Sequence, residues 1–188
     1  MFPEDPVVQF SLAQYYRMNQ DSVKSDEFAR KAVSNKALDA ETQLELLVGY
    51  FRDAGDDSVK RNESLILAAD IAKQNAANAR VQAVYGDILS IVGKRPEATE
   101  QYKKALELEP SSFLTWQNML FGYTEKQYAD SLISNSERAL RLFPNQALLH
   151  YLNGIGHLNK KSYPSAIKSV NRAIEMQHKE ILSQKAEL

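Results

Sequence analysis

The sequence contains no cysteine, which excludes disulfide bonds, thiolate nucleophiles and cysteine-based zinc sites. It also lacks an apolar run of about 18 residues, the length typical of a membrane-spanning helix. Neither sign of charge is in excess, because 23 lysine and arginine residues stand against 24 aspartate and glutamate residues. That balance disfavours nucleic acid as a partner. With 188 residues, 44% of them hydrophobic, the chain is long and apolar enough for a globular fold.

Prolines and alanines recur at a fixed spacing. Pro110 and Pro144 lie 34 residues apart, and the same interval of 34 separates Ala105 from Ala139 and Ala139 from Ala173. Each of these alanines is followed by an aliphatic residue. A period between 20 and 50 residues is typical of a stacked repeat architecture.

This period divides most of the chain into five repeats. The step from Ala32 to Ala105 is 73 residues, or 34 plus 39, so the second repeat carries a five-residue insertion in its polar turn. His178 is predicted to lie in an exposed loop, and residues 181–188 are predicted to begin a truncated further helix. The predicted repeats are 6–39, 40–78, 79–112, 113–146 and 147–180.

Each repeat is predicted to consist of two helices. In the third repeat, Val81, Val84, Ile88 and Leu89 follow helical spacing, and Gly93 marks a turn before a second apolar stripe. Sustained alternation of the strand type is absent from the sequence. We therefore expect an all-α protein of antiparallel helix pairs.

The repeat resembles the tetratricopeptide repeat (TPR), a 34-residue helix–turn–helix unit. The resemblance rests on small, aromatic and proline positions: Gly86, Ala98, Tyr102, Ala105 and Pro110 in the third repeat, Trp116, Tyr123, Ala139 and Pro144 in the fourth, and Gly154, Tyr163, Ala166 and Ala173 in the fifth. It implies an α-solenoid, a right-handed superhelix of stacked helix pairs, acting as a scaffold for protein–protein interaction. We expect the chain to be an excerpt of a longer bacterial protein, from either the cytoplasm or the cell envelope.

The sequence has no motif that indicates an enzyme. A Gly-x-Ser-x-Gly elbow and a phosphate-binding Gly-x-x-x-x-Gly-Lys loop are both absent. His150 and His157 share one predicted helix, but they occupy repeat positions usually held by Trp and Tyr, so we interpret them as packing residues. We predict no catalytic residue, no metal site and no cofactor.

The resemblance implies that the first helix of each repeat lines a concave groove that binds a protein or peptide. The groove residues on these helices are mostly apolar, which favours an apolar peptide or helix, with Arg17, Arg52 and Arg80 orienting it. The carboxylate clamp of some family members is not predicted, because Phe10 and Gln14 stand at its first positions. The predicted groove residues are Phe10, Gln14, Arg17, Leu44, Val48, Phe51, Arg52, Arg80, Asp87, Gln117, Phe121, Tyr151 and Ile155.

Two other interpretations stay open. The array could be a structural spacer or an oligomerisation segment of a larger protein, with its groove filled by its own chain or by a second copy. It could also be a regulatory array attached to a catalytic domain elsewhere.

Overall fold

The computed structural model describes the backbone of residues 5–186 and the side chains of residues 5–180. Over that range it contains helices and no β-strand, which confirms the predicted all-α class. One short 3₁₀ helix, at Lys126–Tyr128, precedes α8. The α-helices are α1 (Pro6–Met18), α2 (Ser22–Val33), α3 (Ala40–Asp53), α4 (Ser58–Gln74), α5 (Ala79–Ile91), α6 (Arg95–Leu108), α7 (Phe113–Phe121), α8 (Ala129–Leu142), α9 (Ala147–Asn159) and α10 (Tyr163–Ala186).

The odd-numbered helices, which we call the first helices, begin at the residues where the sequence placed the start of each repeat. Short polar side chains explain four of these five starts, because Asp5, Asp39, Asn78 and Ser112 each accept a hydrogen bond from a backbone N–H of the first turn. The even-numbered helices are the second helices. The division of the chain into five repeats stays a prediction.

The structure differs from the prediction at the end of α10. We expected His178 in a loop and a new helix from residue 181, but α10 continues through both positions to Ala186. His178 stands where the third and fourth predicted repeats have Pro110 and Pro144, and no proline or glycine occurs from there to the end of α10. Because nothing there blocks helical hydrogen bonding, the helix continues.

The chain forms two compact units, one ending at Glu97 and one beginning at Ala98. We call them the N-terminal unit and the C-terminal unit. A cluster of buried side chains from α2 to α5 forms the core of the N-terminal unit and includes Leu44, Leu47, Ile71 and Val81. The largest fully buried side chains of the C-terminal unit are Met119, Leu120, Leu132, Leu149 and Leu152.

Helix α9 lies between α8 and α10 and approaches both closely through glycine. A Cβ atom added to Gly154 would lie 2.8 Å from the Val170 Cγ2 atom of α10. One added to Gly156 would lie 2.7 Å from the Ile133 Cγ1 atom of α8. Such separations are below normal van der Waals contact, so these two positions need glycine for packing.

A buried polar chain also joins these three helices. The Asn153 side-chain amide donates to Ser136 Oγ at 3.0 Å, and its carbonyl oxygen accepts from Ser169 Oγ at 2.7 Å. Ser136 Oγ donates onward to the Ile133 carbonyl at 2.9 Å. Because Ser136 and Asn153 are buried, these bonds satisfy groups that water does not reach.

In four of the first helices, the side chain of the fourth residue forms a hydrogen bond to a backbone carbonyl of the preceding segment. In the N-terminal unit, Gln43 Nε2 donates to the carbonyls of Val33 and Asn35 at 3.4 and 3.1 Å. Gln82 Nε2 donates to those of Ala72 and Asn75 at 2.9 and 3.3 Å. The side-chain amide thereby satisfies carbonyl groups at the end of the preceding helix.

In the C-terminal unit an aromatic ring takes the place of glutamine. Trp116 Nε1 donates to the Pro110 carbonyl at 2.8 Å. His150 Nε2 lies 3.0 Å from the Pro144 carbonyl, again six residues earlier, so this nitrogen carries the proton that the carbonyl accepts. His150 therefore ties α9 to the loop before it.

Candidate functional site

The predicted groove residues of the N-terminal unit have different environments. Phe10 and Val48 are 38% and 45% exposed, whereas Phe51 is partly buried against the core cluster. Leu44 is 2% exposed, so its placement in the groove is wrong. Leu44, Leu47 and Phe51 recur at i, i+3 and i+7 along the stripe of α3 that faces the core, and Val48 lies beside that stripe.

The arginines predicted to orient a partner are partly engaged within the chain. Arg17 of α1 forms an ion pair with Asp53 of α3, and Arg80 of α5 forms one with Glu41 of α3. Arg52 is exposed and, among the described side chains, forms no ion pair. Arg52 is therefore the arginine of this set that can receive a partner's polar group without breaking an internal pair. Asp87 is half-buried.

In the C-terminal unit the predicted residues lie on α7 and α9, which contact each other. Phe121 of α7 and Tyr151 of α9 are 45% and 49% exposed. Gln117 and Ile155 are half-buried on the same helices. Two aromatic side chains thus reach solvent on neighbouring first helices of this unit.

The N-terminal unit contains a half-open cavity of about 500 Å³ between α1, α2 and α3. Four predicted groove residues line it, namely Phe10, Gln14, Arg17 and Arg52. The sequence did not predict the cavity itself. We call it the α1–α3 cavity, and its further lining includes Ala13, Ala29, Val33, Leu38, Leu46, Gly49 and Tyr50.

Small residues on three helices leave this space open. The small lining residues are Ala13 on α1, Ala29 on α2 and Gly49 on α3. A Cβ atom added to Gly49 would meet no other atom within 4 Å, in contrast to Gly154 and Gly156. Gly49 therefore borders empty space and is not needed for contact between helices.

The charged groups around the cavity are largely paired with one another. Arg17 pairs with Asp53, and Lys60 Nζ lies 2.5 Å from Asp26 Oδ2. Arg52 and Glu45, both exposed on α3, are the lining charges that form no ion pair among the described side chains. The cavity lining is thus close to neutral.

Tyr50 presents a protonated phenol at the cavity. Its hydroxyl donates to Glu63 Oε2 at 2.7 Å. Burial, and then the Glu63 carboxylate, raise the pKa of Tyr50 above its ordinary value. The phenol consequently stays uncharged at physiological pH.

Within the described residues, no three His, Asp or Glu side chains are grouped so that they could hold a metal ion. His150 and His157 belong to the same helix, and His150 is bonded to the Pro144 carbonyl. Over the same part of the chain, no helix combines the length and apolar character needed to cross a bilayer.

No protein-family model matches the chain. A segment of 79 residues is 24% identical to the E3 ubiquitin-protein ligase CHIP of Arabidopsis thaliana, covering 42% of this chain and 28% of that protein. The chain thus spans less than a third of that relative's length.

Solved structures match over nearly the whole chain. A crystal structure of MamA superposes with a TM-score of 0.73 at 16% identity, covering 95% of this chain and 94% of MamA. YrrB, described as a TPR protein with an unusual peptide-binding site, superposes with a TM-score of 0.67 at 16% identity, covering 98% of this chain and 92% of YrrB. The ten α-helices of the described residues, the repeat spacing and the likeness to these structures all indicate the same fold, and the chain has the tetratricopeptide-repeat fold.

Proposed function

We propose that this protein is a non-enzymatic scaffold whose first helices bind an apolar peptide or helix of a partner protein. The observation that carries the proposal is the placement of exposed aromatic side chains. Among the described side chains, four exposed aromatics, Phe10, Tyr15, Phe121 and Tyr151, lie on first helices, and one, Tyr163, lies on a second helix. Aromatic side chains offer large apolar contact areas and are enriched at binding surfaces.

The structural neighbours support this use of the fold. YrrB has a peptide-binding site by its own description, and its fold covers nearly the whole of this chain. Protein or peptide is the partner class that an apolar, near-neutral surface favours over nucleic acid.

The test is selection of peptides from a displayed random 12-residue library, followed by titration of the enriched peptides. Two first-helix variants are compared, Phe10→Ser with Val48→Ser and Phe121→Ser with Tyr151→Ser. The matched control is Ile66→Ser with Ile167→Ser, which removes exposed aliphatic side chains from second helices.

At least one first-helix variant is expected to weaken binding tenfold or more, since burying one large apolar side chain contributes about 1.5–3 kcal/mol. The control is expected to bind like the wild type. The proposal fails if both first-helix variants keep wild-type affinity, or if the control loses as much.

An exposed position on α10 favours a second candidate, self-association. Val33 of α2 and Ile174 of α10 hold the same position in the repeat pattern, yet Val33 is fully buried and Ile174 is 62% exposed. A second copy could cover Ile174 as α3 covers the end of α2. Sedimentation of Ile167→Glu with Ile174→Glu tests this, because a dimer that persists in the variant excludes the α10 surface.

A further inference from the structure

We propose that the α1–α3 cavity is an anchor site for one bulky, uncharged apolar side chain of the bound peptide. The inference rests on the proposed function and adds to it the site and the chemistry of the residue recognised. A leucine, phenylalanine or tryptophan side chain enters the cavity, and the flanking peptide backbone lies across the exposed residues of α3.

The cavity has room for such a side chain, and its lining suits an apolar group. Its volume of about 500 Å³ lies within the range of small-ligand sites, roughly 300 to 1,000 Å³, so a side chain enters with space left for the adjoining part of the peptide. Phe10, Leu46 and Tyr50 supply large apolar surfaces around the small side chains of Ala13 and Ala29. Burial against these surfaces is the source of the binding energy.

Gly49 is the observation that separates this cavity from a packing defect. It lies inside α3, where glycine is unfavourable relative to alanine, and it has a right-handed helical backbone that any residue adopts. No neighbouring atom requires its small size. A side chain at this position would instead project into the cavity, so glycine keeps the space available for an occupant.

Charge complementarity decides against a charged occupant. The ion pairs Arg17–Asp53 and Lys60–Asp26 already compensate four of the six charged lining groups. The two left, Arg52 and Glu45, have opposite signs and are exposed. One can donate to a peptide carbonyl and the other can accept from a peptide N–H, so they suit a neutral peptide backbone.

The test reduces the open space of the cavity at a position where an added Cβ atom meets no neighbour. Gly49→Leu places an apolar side chain in the open space, and Asn62→Leu, at an exposed position of α4 outside the cavity, is the matched control. Peptides enriched from the library on the wild-type protein are titrated against both variants. The melting temperature of each variant is measured alongside.

Gly49→Leu is expected to weaken peptide binding at least tenfold while its melting temperature stays equal to or above that of the wild type. Asn62→Leu is expected to bind like the wild type. Replacing the anchor residue of the peptide by lysine is expected to cause a loss as large as that of Gly49→Leu. If Gly49 had only a structural role, Gly49→Leu would lower the melting temperature together with the affinity for the peptide.

The inference is overturned if Gly49→Leu binds the enriched peptides with wild-type affinity. If the Phe121→Ser and Tyr151→Ser variant then still loses binding, the proposed function stands and the cavity alone is eliminated. If the library yields no binder, the proposed function fails, and titration with N-acetyl-tryptophanamide judges the cavity directly. Saturable binding of that probe, lost in Gly49→Leu, supports the anchor site, and its absence excludes it.

Discussion

The two units link the first helix to the preceding segment with different side chains. At the fourth residue of the first helix the N-terminal unit uses Gln43 and Gln82, whereas the C-terminal unit uses Trp116 and His150. A ring nitrogen and an amide nitrogen both donate to a carbonyl of the preceding segment. Trp116 also buries a large apolar surface, so the same link contributes more packing in the C-terminal unit.

Glycine shows the same contrast. Gly154 and Gly156 of the C-terminal unit stand where a methyl group would collide with a neighbouring helix, while Gly49 of the N-terminal unit stands beside empty space. The comparison teaches that one residue type serves close packing in one unit and an open cavity in the other. We therefore assign the anchor site to the N-terminal unit.

The largest predicted effect tests the difference between the two kinds of link. Trp116→Ala is expected to lower the free energy of unfolding by about 4 kcal/mol, because it leaves a large cavity and an unpaired carbonyl. Gln82→Ala is expected to lower it by about 2 kcal/mol, mainly through the loss of hydrogen bonds. Urea denaturation followed by circular dichroism measures both, and equal losses would contradict the distinction.

The second prediction compares a glycine-to-leucine substitution in the C-terminal unit with one in the N-terminal unit. Gly156→Leu is expected to destabilise by about 3 kcal/mol, because the added atoms collide with Ile133. Gly49→Leu is expected to stabilise by about 1 kcal/mol through helix propensity. Thermal melts of the two variants should therefore shift in opposite directions. A fall in both would mean that Gly49 is a packing residue.

The third prediction concerns the polar chain of the C-terminal unit. Asn153→Ala is expected to cost about 2 kcal/mol, because the hydroxyls of Ser136 and Ser169 lose their partner in a buried site. Ser169→Ala should lower the free energy of unfolding less in the Asn153→Ala variant than in the wild type, because the variant has already lost the partner of Ser169. Additive losses in urea denaturation would show that the two groups act independently.

The smallest predicted effect is a pH dependence of the folding stability, and it arises from Asp39 in the N-terminal unit. The backbone N–H and then the hydroxyl of Thr42 donate to Asp39 and lower the pKa of its carboxyl below the ordinary value. This contribution is present above the unfolded pKa of about 3.9 and is lost as the pH falls through the folded pKa. Asp39→Asn keeps a cap but does not titrate.

The stability of Asp39→Asn should therefore fall less steeply than that of the wild type below about pH 4, and differ little at neutral pH. Melting temperatures between pH 3 and pH 7 measure the difference. Parallel curves for the two proteins would show that Asp39 does not titrate with folding.

The sequence predicted the helices well because local signals govern them. The capping residues Asp39 and Asn78 act within a few residues of the helix starts, and the 34-residue spacing of alanine and proline equals the interval between the starts of α5, α7 and α9. The repeat pattern predicts a loop at His178, but no helix-breaking residue lies near it, and α10 therefore extends beyond the prediction.

The candidate site was only partly predictable. Phe10, Val48, Phe121 and Tyr151 are exposed, as a surface role requires, but Leu44 is buried because it shares the core stripe of α3. The α1–α3 cavity arises where three helices place small residues together, and because these residues lie on separate helices no local sequence pattern defines it. A glycine inside a predicted helix, Gly49, is the sequence signal that could have indicated the cavity.

A ¹⁵N–¹H NMR titration of the whole chain with N-acetyl-tryptophanamide tests the anchor site without any selected peptide. Saturable shifts are expected at the Gly49 amide and at residues of α1, α2 and α3 that line the cavity, and these shifts should be lost in Gly49→Leu. Shifts that are absent, or that persist unchanged in Gly49→Leu, would contradict the assignment of an apolar anchor site to the N-terminal unit.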